Sequence, residues 1–265
     1  MKVIFIYIWK VFLYTIICYS ILLLVALPFV STIKREISNN LTLILIQESS
    51  FLISGFIVII ISKLYFKETL IIFKPLRALV YYLSILFLIV IFCWILYIFD
   101  IVDFVFYKII NINSFEKFLI FCAIPTLFIA FGEEFIFRWF LLNRLKTFLN
   151  TNTAVVISSL VFCLGHNWNL PNMLFAFTGA CLFSMVYIYT NSIFNCIGIH
   201  SAWNFGQRFF FEGMSDFSYE AQRIVLLDIK NIDKYNWAEF YLFAVLLISF
   251  LIFFNYKYRK RLINF

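Results

Sequence analysis

Apolar residues in this chain do not alternate with polar ones. They run in long blocks separated by short clusters of Lys, Arg, Asp and Pro. A helix needs about 20 mostly apolar residues to cross the hydrocarbon of a bilayer. The blocks Val11–Val30, Leu41–Ile61, Ala78–Phe99, Phe118–Phe140, Thr153–His166, Met173–Thr190, Ser192–Phe205 and Trp237–Phe254 therefore predict about eight transmembrane helices. The fifth and seventh blocks are short, and each contains a histidine. The first follows Lys2 and Lys10 and shows no small-residue cleavage site, so it reads as a retained span and not as a signal peptide. No internal repeat, Gly/Ser linker or low-complexity tract divides the chain. The expected fold is all-α: one polytopic integral-membrane domain over 1–265, a single helical bundle around a central intramembrane polar site.

Charge then orients the bundle. Lys2 and Lys10, the cluster Lys63, Lys67, Lys74 and Arg77, the pair Arg144 and Lys146, and the tail Lys257, Arg259, Lys260 and Arg261 all fall on one side of an eight-span arrangement. By the positive-inside rule that side is cytoplasmic. The opposite loops are poorer, with Lys34 and Arg35, then Lys108 and Lys117. Both termini are expected in the cytoplasm, at the cell membrane. The stretch from Gln207 to Asn236 is the one long connection; it reads either as a solvated loop or as a lid or re-entrant segment.

Composition agrees with this picture: 64% of residues are apolar and 13% charged, against about 45–50% and about 25% in soluble domains. The net charge of +7 would suggest nucleic acid in a soluble protein. Here the basic residues sit between apolar blocks, so topology explains them and no nucleic-acid partner is expected. The six cysteines all lie within apolar blocks and none forms a CxxC pair. They read as small buried hydrophobes, not as a disulfide framework or thiolate metal ligands.

Ionisable residues within a bilayer are costly, by about 2.5–3.5 kcal/mol each on insertion scales, and usually face the bundle interior with a function. They concentrate in three places. Glu133, Glu134 and Arg138 interrupt the fourth block. Glu134 and Arg138 are spaced i, i+4 with the acid first, the favourable order for an ion pair. Neighbouring residues on a helix point about 100° apart, so Glu133 faces elsewhere, without that partner. An unpartnered carboxylate in apolar surroundings is a usual device for a general acid or base, and Pro125 is expected to kink the helix and open room beside it. The alternative for Glu134 and Arg138 is a structural clamp. His166 closes the fifth block, and His200 and Asn204, again i, i+4, share a face in the seventh. These are the only two histidines in the chain. Asn167, Trp168 and Asn169 read as a polar helix end before Pro171. Glu48, in the second block, is a further buried acid with no assigned role.

EExxxR at Glu133–Arg138, FxxxH at Phe162–His166 and HxxxN at His200–Asn204, in that order and each in an apolar block, resemble the pattern of the CPBP family. These are the CAAX-protease and bacteriocin-processing proteins, or Abi family, and they include the type II CAAX prenyl endopeptidases. The resemblance lies in a core at 115–206. It implies an intramembrane endopeptidase in which Glu133 activates the attacking water, His166 assists, His200 and Asn204 stabilise the oxyanion, and Glu134 and Arg138 support. Its partners would be the lipid bilayer and a membrane-associated peptide or protein. Hydrolysis requires this kind of set: a base, a water and donors to the developing oxyanion. No cofactor is expected. A His/His/Glu set can bind zinc, but no HExxH supplies the usual helical ligand pair. The competing readings are a non-catalytic membrane scaffold or bacteriocin self-immunity protein of the same fold, and a proton-coupled transporter. The absence of repeated halves counts against the last.

Overall fold

The computed structural model describes residues 6, 9–10, 12–18, 20–21, 41–66, 75–104, 112–166, 168–212 and 227–263. Among them the order is α1 (Leu41–Phe66), α2 (Pro75–Ile98), β1 (Val102–Phe104), α3 (Ile112–Glu134), a π-helical segment (Phe135–Leu142), α4 (Asn143–Lys146), α5 (Thr151–Cys163), α6 (Leu170–Thr190), α7 (Ile193–Gln207), a second π-helical segment (Arg208–Glu212), β2 (Leu227–Ile229) and α8 (Ile232–Ile263). The first expected span lies largely outside the described residues, although 12–18 are helical. The other seven expected spans each coincide in whole or large part with a helix.

The fold is helical, as its apolar blocks require. Among the described residues three helices are long and apolar enough to cross a membrane: Leu76–Ile98, Leu170–Thr190 and Ile232–Phe253. They present large apolar side chains outward, among them Leu76, Phe87 and Ile98. A soluble surface does not sustain apolar exposure on that scale, and a lipid-facing one does. Thr151–Cys163 is apolar but shorter.

Packing follows the small residues. α1 lies against α3, α2 against α7, α3 against α7, and α6 against both α5 and α8. At the α1–α3 crossing, a Cβ on Gly132 would run into the carbonyl oxygen of Phe51. At the α2–α7 crossing, a Cβ on Gly198 would lie 2.7 Å from the carbonyl oxygen of Ala78. Such close backbone approach is how helices associate where lipid removes the hydrophobic drive. Both glycines neighbour the polar motifs, so these crossings fix Glu133 and His200 against the bundle.

Three local features depart from the sequence expectation. The fourth block is not one α-helix to Phe140; it widens to π-helix from Phe135. α5 ends at Cys163, and His166 sits in the turn beyond it. Loss of the next helical residues follows from Asn169, whose side chain accepts from the Asn172 N–H at 2.9 Å and starts α6 with Pro171 in its first turn. That is the polar helix end expected at Asn169. Third, the Gln207–Asn236 stretch is not an open loop throughout. α7 continues as π-helix to Glu212, and Leu227–Ile229 pairs antiparallel with Val102–Phe104. Lys230 ties this small sheet to Asp100, and to Asp103 at 2.9 Å. The Lys230 bond holds the Asp100 carboxyl below its ordinary range. All six cysteines are buried and unpaired.

Candidate active site

Glu134 ends α3, and Arg138 follows in the π-helical segment. Both are almost completely buried, at 0% and 1% exposure. Arg138 Nη1 lies 3.0 Å from Glu134 Oε1, the ion pair expected from the i, i+4 spacing. The contact is not aligned as a hydrogen bond, and the guanidinium N–H groups Nη1 and Nη2 make none with protein atoms. Aromatic rings take up the slack. The guanidinium sits 4.5 Å from the Phe162 ring centroid and 5.4 Å from that of Phe183. Cation–π attraction contributes about 2 kcal/mol when the cation is desolvated.

His200 joins the two motif carboxylates. Its Nδ1 is 2.8 Å from Glu134 Oε1, and its Nε2 is 3.5 Å from Glu133 Oε2. A carboxylate only accepts, so Nδ1 donates to Glu134. Glu133, 15% exposed, is therefore less isolated than helix geometry alone suggests. It does avoid the Arg138–Glu134 contact, but one imidazole connects it to the same cluster. With His200 protonated on both nitrogens, two acids face two cations and the cluster is neutral. That balance removes the cost of unpaired charge in a low-dielectric interior.

His166 is fixed separately. Its Nδ1 lies 3.1 Å from the Phe162 carbonyl oxygen, and the Phe162 and His166 rings meet at a tilt of 38° with centroids 4.4 Å apart. Donation from Nδ1 leaves Nε2 as a free lone pair in the neutral ring. Phe162 thus serves both motifs, holding Arg138 with its ring face and His166 with its carbonyl. The sequence pattern contained Phe162 without revealing either role. Phe183, 5.1 Å from the His200 ring, carried no signal at all among 37 phenylalanines.

A cavity of about 100 Å³ opens beside this cluster, lined by His166, His200, Asn204 and Gln207 on its polar side. Phe175, Gly179, Ala180, Trp203 and Phe243 supply the apolar side. Water fits a site of this size when polar partners are present. The Asn204 side chain makes no hydrogen bond among the described residues, so its amide is available to donate into the cavity it lines. Three of the four residues expected to be catalytic, His166, His200 and Asn204, therefore line one cavity; Glu133 is not part of that lining and lies behind His200, 3.5 Å from its Nε2. Among the described residues no group of three His, Cys, Asp or Glu side chains is arranged to hold a metal ion.

Two buried acids outside the motifs flank the far end of α7. Glu48 pairs with Arg208 at 2.9 Å, which gives the previously unassigned acid a partner. Glu239 accepts from Gln207 Nε2 at 2.8 Å and from the Tyr235 hydroxyl at 2.6 Å. Neither acid belongs to a sequence motif, and only the fold brings them to α7.

No curated protein and no solved structure matches the chain. A family model does: residues 115–206 match the type II CAAX prenyl endopeptidase Rce1-like family. Over this segment, which is less than half of the chain, the protein is similar to the type II CAAX prenyl endopeptidases.

Proposed function

We propose that this protein is an intramembrane endopeptidase that hydrolyses a peptide bond of a membrane-associated protein or peptide with a glutamate-activated water. The observation that carries the proposal is His200, which touches both glutamates while lining a cavity with His166 and Asn204. Glu133 takes a proton from water as the oxygen attacks the carbonyl, and passes it to the amine nitrogen as the C–N bond breaks. His166 Nε2, free because Nδ1 is held by Phe162, orients that water. Negative charge developing on the carbonyl oxygen is met by the Asn204 amide and by His200 Nε2–H. At 3.5 Å the Nε2 contact to Glu133 is longer than a well-formed hydrogen bond, so the donor is available to the oxyanion. Glu134 holds the His200 ring in place through Nδ1. Positioned donors in a site shielded from bulk water contribute more than in solution, commonly a factor of about 10²–10³ each.

Zinc is not required in this reading. Both ring nitrogens of His200 face carboxylates, so a metal would have to displace one of them. A purely structural role accounts for Glu134, Arg138 and His200, but not for His166 and Asn204 facing a shared cavity. The matched family's name makes a prenylated CAAX tail the first substrate class to try. The test is a comparison of membrane peptides from cells carrying the wild type or Glu133→Ala. Loss of defined cleavage products in the variant supports hydrolysis; identical peptide populations contradict it.

A further inference from the structure

Gln207 continues the polar face of α7 beyond the motif. It lies three residues past Asn204 and seven past His200, spacings that keep all three on one side of a helix, and all three line the same cavity. Its orientation is fixed. Glu239 is 3% exposed and accepts the Gln207 Nε2 hydrogen bond, with the Tyr235 hydroxyl on the same oxygen. A carboxylate that already accepts two donors cannot take the amide the other way round. The NH2 end of Gln207 therefore faces Glu239, and the carbonyl oxygen is the end left for the cavity. Ala176, Gly179 and Ala180 line the same cavity with small side chains, and the Phe243 ring lies against Gly179.

We infer that Gln207 Oε1 accepts a main-chain N–H of the substrate, with Glu239 as its positioning residue, and that the cavity takes an uncharged apolar segment already unwound from helix. This rests on the peptidase reading above. An N–H inside an α-helix is committed to the carbonyl four residues back, so only a locally extended peptide can offer one. An apolar side chain of that segment packs against Gly179 while its backbone faces the α7 polar row. A cationic or acidic side chain there has no partner among the lining residues other than the catalytic groups.

The probe is a fluorescein-labelled peptide of leucine and alanine, with analogues in which one backbone N–H at a time is replaced by an ester oxygen. Binding is measured by anisotropy to detergent-solubilised Glu133→Gln protein, and cleavage of the same peptide with the wild type. One ester position should weaken binding about five-fold, the scale of one neutral hydrogen bond. Adding Gln207→Leu should weaken the parent peptide by a similar factor and abolish the difference for that ester analogue alone. The exchange Gln207→Glu with Glu239→Gln, which restores the donor–acceptor pair in reverse, should recover binding. Absence of binding, or an ester effect that persists in Gln207→Leu, overturns the inference. If Gln207→Leu does not fold, an ester scan with no sensitive position in the parent overturns it equally. Cleavage by the wild type with no Gln207 dependence contradicts this assignment alone, whereas Gln207-dependent binding without cleavage supports it and contradicts the peptidase reading.

Discussion

His200 Nδ1 and Glu134 Oε1 are 2.8 Å apart although 66 residues separate them in the chain. Glu134 thereby has two partners, since Arg138 Nη1 lies 3.0 Å from the same oxygen. Helix spacing alone assigns Glu134 only the arginine, and so expects its loss to lower stability with activity falling in proportion. The imidazole contact changes that expectation. Glu134→Gln removes the charge that balances Arg138, a loss of about 3–5 kcal/mol for a broken buried pair, but keeps an oxygen for Nδ1–H. Glu134→Leu removes both. Melting temperatures of the two should fall alike, while turnover per folded molecule should fall much further for Leu than for Gln. Equal turnover per folded molecule would deny Glu134 a role in holding His200.

Phe162 connects the clusters, with its ring on Arg138 and its carbonyl on His166. Phe162→Leu keeps the backbone carbonyl and loses the ring. It should destabilise by about 2 kcal/mol through the lost cation–π contact, and loosen His166, whose ring lies against Phe162, so that turnover drops as well. Thermal melts and initial rates measured together check this; unchanged stability would remove the ring from the account of Arg138.

The proposed membrane arrangement, eight spans with both termini in the cytoplasm, rests on Lys and Arg placement. Reporter fusions after Asn40, Lys146 and Phe265 should place the first outside and the other two in the cytoplasm. A translocated C-terminus would refute the eight-span arrangement. Three described helices, Leu76–Ile98, Leu170–Thr190 and Ile232–Phe253, already have the length and apolarity to span.

Much of this molecule was legible in its sequence because lipid imposes long apolar helices, and charges within them stand out. Glu133, Glu134, Arg138, His166, His200 and Asn204 were visible for that reason. The contacts between motifs were not, because spacing along one helix says nothing about a partner on another. Hence the His200–Glu134 bond emerges only from the packing of α7 against α3, and the Glu48–Arg208 pair only from the approach of the π-helical segment after α7 to α1. The π-helical turn at Phe135–Leu142 gave no signal either, since apart from Arg138 its residues are those of an ordinary apolar helix. Gln207 was hidden at the edge of a stretch that read as loop, and Glu239, inside the last apolar block, carried no motif.

Metal dependence separates this account from a zinc hydrolase. Purified protein should retain full turnover after chelation and dialysis. Stoichiometric zinc that is lost together with activity, with activity restored by zinc alone, would reverse the assignment of His200 and His166.

The central claim is that Glu133 activates water while Glu134 holds the site together. Turnover of Glu133→Gln protein in detergent, per folded molecule and on a substrate the wild type cleaves, tests it most directly. Gln is nearly isosteric and cannot take a proton, so the melting temperature should stay near that of the wild type. The rate should fall by about 10²–10⁴, the range general-base catalysis contributes. Near-normal turnover by a folded Glu133→Gln protein would contradict the mechanism.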